Sequence, residues 1–144
     1  MRAPGQTTVP GSMVDPIRVV YVDGDDRSVA LATDRLAGTD PPVSVETAAS
    51  ADDGLALIDE SDVDCVVSSD DLADGTGVEF LDTVRRTRPD LPFVLFSERA
   101  GSVVTDAIAA GVTQYVEKGP APAQWATLRD VVVDVVATSR SERR

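Results

Sequence analysis

Five short apolar runs recur along the chain, each followed by a segment whose apolar residues fall on a helical period. The runs are Ile17–Val22, Val43–Thr47, Val63–Val67, Pro92–Phe96 and Thr113–Glu117. Between them, apolar residues recur at i, i+3, i+4 and i+7. The first such segment holds Val29, Ala32 and Leu36 and ends at Gly38. The second holds Ala51, Gly54, Leu55 and Ile58; the third holds Phe80, Leu81 and Val84 and is stopped by Pro89. The fourth holds Val104, Ala107 and Ile108 before Gly111, and the fifth holds Trp125, Leu128, Val131, Val132, Val135 and Val136. Strand then helix, five times over, predicts an α/β three-layer sandwich: a parallel sheet with helices on both faces. Residues 1–14 have no periodicity and hold two Pro and two Gly, so they read as a tail. The domain is expected over 15–138, with 139–144 as a polar, basic C-terminal tail that frays. The segment Ala73 to Gly77 reads as a flexible loop before the third helix.

Composition removes whole classes of chemistry. Histidine is absent, which excludes imidazole acid–base catalysis, Ser-His-Asp triads and the common zinc sites. The one cysteine, Cys65, lies in an apolar run, cannot form an internal disulfide and reads as a small core residue. No apolar stretch approaches the roughly 20 residues of a membrane span. The N-terminus lacks the apolar core of a secretory signal, so a cytoplasmic protein is expected. A net charge of −12 repels nucleic acid and anionic membranes, and neither is expected as a partner. Asp outnumbers Glu 19 to 6 and Arg outnumbers Lys 12 to 1. That balance reads as a halophilic protein, whose surface carboxylates serve solubility.

In a sheet of this kind ligands sit beyond the carboxyl ends of the strands, beside the switch in strand order. The residues there are Asp23-Gly24-Asp25-Asp26, Ser68-Ser69-Asp70-Asp71, Ser97-Glu98 and Glu117-Lys118-Gly119. The only lysine of the protein therefore lies at the edge of the expected pocket. The stretches IRVVYVDGDD (17–26), VDCVVSSDDLADGTGVEFL (63–81), LPFVLFSERA (91–100) and AGVTQYVEKG (110–119) match in order and spacing. Through them the chain resembles the receiver domain of two-component response regulators over residues 16–138. The resemblance implies a flavodoxin-like fold with a five-stranded parallel sheet of order 2-1-3-4-5. It also implies phosphorelay chemistry, in which an Asp after strand three takes a phosphoryl group from a histidine kinase. Two acids after strand one would bind Mg²⁺, and a hydroxyl and a lysine after strands four and five would contact the phosphoryl oxygens.

Carried over residue by residue, Lys118 falls on the lysine, Ser97 on the hydroxyl, Tyr115 on the aromatic switch position and Asp23 on the first acid. Gly24 replaces the second acid, and counting back from Gly77 puts Ser69 where the phosphoacceptor Asp belongs. Thr76, Ala73 and Gly119 also depart from the usual Asp, Pro and Pro. A serine without a base is a weak nucleophile and a poor metal ligand, and it cannot form an acyl phosphate. The fallback acceptor is Asp70, although strand alternation turns it away from Ser69. Asp25 could supply the missing acid or cap the first helix. Mg²⁺ is not required and is expected to bind weakly if at all, with Asp23, Asp25 and Asp70 as candidate ligands. The plain structural alternative for Lys118 is an ion pair with Asp23.

The leading expectation is a stand-alone, atypical pseudo-receiver that is not an enzyme. It would bind a protein partner, a histidine kinase or a downstream signalling protein, through the face of helix four, strand five and helix five. The chain ends just after helix five, so no DNA-binding effector is expected. One alternative is a working acceptor at Asp70 with Mg²⁺. The other is a small-molecule-binding flavodoxin-like domain, against which stands the lack of a Gly-rich phosphate loop. Substituting Asp for both Ser69 and Gly24 is expected to restore acceptance if the rest of the pocket is intact.

Overall fold

Near-continuous runs of Val, Phe and Leu demand burial on both faces, and in a computed structural model they form the centre of the sheet. The structure describes residues 16–39, 41–98, 102–119 and 123–142. The strands are β1 (Ile17–Val22), β2 (Pro42–Ala48), β3 (Cys65–Ser68), β4 (Phe93–Ser97) and β5 (Gln114–Glu117). They pair in parallel in the order β2-β1-β3-β4-β5, and a two-residue strand, Gly38–Thr39, adds antiparallel outside β2. The helices are α1 (Asp26–Leu36), α2 (Ala51–Glu60), α3 (Gly77–Thr87), α4 (Ser102–Ala110) and α5 (Ala123–Glu142).

Alternation along the strands feeds two cores. Val19, Tyr21, Cys65, Val67, Val94 and Phe96 face α1 and α5, where Trp125 packs edge-on to Phe96 with ring centroids 5.1 Å apart. Val20, Val22, Val66, Phe93 and Leu95 face the opposite way, against Ile58, Phe80, Leu81, Val84 and Ala107. Register then places the site. Val22 lies beside Ser68, Ser68 beside Leu95, and Ser97 beside Glu117, so the residues that follow these strands gather along one edge.

Four local expectations need correction. The third strand begins at Cys65, not Val63, because Asp64 bonds to the Arg18 backbone with both its N–H (2.9 Å) and its carboxylate (2.9 Å). Helix α4 turns Val103, Ala107 and Ala110 inward and leaves Ile108 66% exposed. Apolar residues encircle that helix, so the sequence lacks the polar contrast that fixes a helix phase. Helix α5 does not fray at Ala137 but runs to Glu142. Arg140 anchors the end, donating to the Pro16 carbonyl (2.8 Å) and pairing with Asp64 (3.3 Å). Finally, the segment before α3 is a paired ribbon, Asp71–Leu72 against Gly75–Thr76. It leads into a capping box in which Thr76 and Glu79 satisfy each other's backbone N–H groups. The expected tail over residues 1–14 and the last two residues lie outside the described residues.

Candidate functional site

Asp23 is the centre of the edge. It leaves β1 one residue beyond the sheet, is 1% exposed, and is saturated with donors. Its Oδ2 accepts from the Tyr21 hydroxyl at 2.8 Å and lies 2.6 Å from Lys118 Nζ; its Oδ1 accepts from the Asp25 N–H at 2.9 Å. Lys118 arrives from the end of β5, with its side chain mostly buried and its ammonium 5.7 Å from the centre of the Phe96 ring. A compact, nearly dry ion pair results, with further hydrogen bonds on the carboxylate. That is the condition under which a buried pair is held rather than merely tolerated.

Asp23, Asp25, Ser69, Asp71, Ser97, Glu98 and Lys118 line one cavity of about 240 Å³. The expected convergence of Asp23, Ser69, Ser97 and Lys118 is therefore observed. Ser69 is buried, donates its N–H to the Val22 carbonyl (2.9 Å), and accepts from the Asp71 N–H through Oγ (3.2 Å). Ser97 is buried too, and its carbonyl takes two donors: the Tyr115 hydroxyl of β5 at 3.1 Å and, just past that strand, the Lys118 N–H at 2.9 Å. Tyr115 is half-buried. Burial pushes its phenol above the ordinary value, a hydrogen bond with the Ser97 side chain works the other way, and the Glu117 and Asp70 charges add to the rise.

Asp25 serves the start of α1. Its carboxylate accepts from the Arg27 N–H (3.2 Å) and the Ser28 hydroxyl (3.1 Å), an N-cap on the positive end of the helix. Asp70 follows strand alternation: it is buried and does not line the cavity, and its Oδ1 has no hydrogen-bond partner among the described residues. Sequence reasoning passed over one residue that shapes the site, Tyr21, which stands two residues before Asp23 and so points to the same side of β1. A lone hydroxyl inside an otherwise apolar strand was the available signal.

The Mg²⁺ that the resemblance implies does not fit this donor set. A hard cation of that size asks for near-octahedral oxygens, usually including one or two carboxylates. Here Asp23 is neutralised by Lys118, Asp25 is engaged by α1, Asp70 lies outside the cavity, and Asp71 and Glu98 line it from exposed positions. Among the described residues, no three His, Cys, Asp or Glu side chains are grouped to hold a metal ion. Nor is any described helix long and apolar enough to cross a membrane.

Comparison with known proteins agrees with this architecture. No curated protein matches the chain. A receiver-domain protein from Methanospirillum hungatei JF-1, described as CheY-like, superposes with a TM-score of 0.77 at 23% identity, covering 88% of this chain and 98% of its own. The signal receiver domain of an HD-domain-containing protein from Pseudomonas fluorescens Pf-5 gives 0.78 at 20% identity, covering 95% and 96%. The chemotaxis response regulator CheY4 of Vibrio cholerae gives 0.71 at 23% identity, covering 81% and 98%. These likenesses establish the fold. The family profile described as "Response regulator receiver domain" matches residues 19–129, most of the chain, and with that match the chain belongs to the receiver domains of two-component response regulators.

Proposed function

We propose that this receiver domain has lost phosphoryl acceptance and works as a binding module in two-component signalling. The observation that carries the reading is the 2.6 Å contact between Lys118 and Asp23, in a pocket whose acceptor position is Ser69. Phosphoryl transfer needs a nucleophile, a cation to hold oxygens, and positive charge for the oxygens of the moving group. Ser69 has no base to activate it, since the chain has no histidine and Asp23 is committed to Lys118. Lys118 fills the charge role that a cation would play at Asp23, so Mg²⁺ would have to displace it. The alternative acceptor, Asp70, would have to leave a buried position outside the cavity before it could meet a phosphodonor.

With its input lost, the domain rests in one state, set by packing. Tyr115 is held on the Ser97 carbonyl, and the face of α4, β5 and α5 is read in a single conformation. That face carries Ile108, one of two large apolar side chains exposed among the described residues, and a histidine kinase or a downstream signalling protein is the partner class it suits. The acidic, lysine-poor composition fits work in high salt. The test is an amide NMR titration with Mg²⁺ and then a small phosphodonor. Resonances of Ser97, Tyr115 and Lys118 are expected to stay in place; their displacement to a second set of positions would overturn the reading.

A further inference from the structure

The ribbon between β3 and α3 does more than join them. Three independent ties hold it across the end of the sheet. Gly24 donates its N–H to the Asp71 carbonyl (2.9 Å), and Ala73 donates to the Ala49 carbonyl (2.9 Å). The Asp74 carboxylate reaches across to α2, accepting from the Ala51 N–H (2.8 Å) and the Asp52 N–H (3.2 Å). Asp74 thereby caps a helix from a segment more than twenty residues further along the chain, in addition to Ser50, which accepts from the Asp53 N–H. Ribbon, β1–α1 turn and β2–α2 turn are stitched into one unit.

This closure occupies a particular space. A Cβ on Gly24 would stand 2.9 Å from the Asp71 carbonyl oxygen and 3.2 Å from the Ala73 nitrogen. Both are backbone atoms, which cannot swing aside as a flexible side chain would. Any side chain at residue 24 therefore needs the ribbon to move. Replacing Ser69 and Gly24 with Asp, which the sequence alone suggests as a repair, meets the ribbon backbone at the second position and requires it to shift.

We propose that residues 71–76 form an autoinhibitory strap with Asp74 as its clasp, and that the strap itself keeps a second acid, and hence a cation, out of the pocket. The proposal rests on the reading of the domain as a lost acceptor, and it adds a device that outlasts repair of the acceptor residues. Releasing the clasp should let the strap lift and make room at residue 24.

The experiment uses the full chain. In Asp74→Ala, amide hydrogen exchange at Gly24 and Ala73 is expected to accelerate together, by roughly tenfold for a lost cap, while Val20 and Val66 in the sheet keep their rates. Unchanged exchange at Gly24 and Ala73 would overturn the strap. A second arm measures Mg²⁺ affinity in Ser69→Asp/Gly24→Asp, with and without Asp74→Ala. Tighter binding with the clasp removed is expected; equal affinity in the two backgrounds would refute the idea. The exchange arm needs no folded Gly24 variant and is blind to phosphoryl chemistry. A wild-type protein that accepts a phosphoryl group would defeat the functional reading and leave the exchange result to judge the strap.

Discussion

Replacing Lys118 with methionine isolates the ion pair at the heart of the site. Methionine keeps most of the stem's volume and contact with Phe96 but removes the charge. Asp23, 1% exposed, would then be a buried carboxylate without a counter-charge. Breaking a buried pair in this way costs about 3–5 kcal/mol. The Tyr21 hydroxyl and the Asp25 N–H remain on Asp23, which favours the lower end, about 3 kcal/mol. For a domain of this size that corresponds to a fall in Tm of about 10–15 °C. Urea unfolding followed by Trp125 fluorescence suits the measurement, because the indole is buried against Phe96 and Tyr21. The midpoint should fall with the slope unchanged. Asp23→Asn in the same chain should return about half of the loss, since the orphaned charge goes with it. A Lys118→Met protein within about 1 kcal/mol of wild type would refute the reasoning, since an exposed or loosely held pair contributes no more than that.

Other outcomes follow from the same geometry. Asp70→Leu should stabilise the domain by about 1–2 kcal/mol, since it removes a buried carboxylate oxygen without a partner; a lower Tm would show that the carboxylate is satisfied. Backbone N–H groups of Ala51 and Asp52 hold the Asp74 carboxyl below its ordinary value, so its cap is fully present above that value and lost as pH falls through the lowered one. Protection at Gly24 and Ala73, with the intrinsic pH dependence of exchange divided out, should therefore fall in acid in the wild type and stay insensitive to that change in Asp74→Ala. With a net charge of −12, raising KCl towards molar concentration should raise Tm by screening self-repulsion; a flat or falling Tm would contradict the high-salt reading.

What the sequence made legible was whatever two periods can encode. The period of two places Tyr21 and Asp23 on one side of β1, turns Asp70 away from Ser69, and brings the strand ends together once the order of the sheet is known. The helical period separates the inner faces of α1 and α3 because polar residues mark the outer ones. In α4 that contrast is missing, so the period alone turns Ile108 inward where the fold exposes it. The ribbon over 71–76 was hidden for a different one: its ties run to Gly24, Ala49 and the start of α2, far apart in sequence. The last turns of α5 read as a tail because they are polar, whereas Arg140 holds them by pairing with Asp64 and bonding Pro16. Polarity signals exposure only where no distant partner is waiting.

The central claim, that the pocket no longer takes a phosphoryl group, is tested most directly by intact mass. Wild-type protein is incubated with Mg²⁺ and a small phosphodonor, alongside Asp70→Asn. The account predicts an unchanged mass for both proteins. A gain of one phosphoryl group in the wild type would contradict it, and loss of that gain in Asp70→Asn would place the acceptor at the buried Asp70 carboxylate.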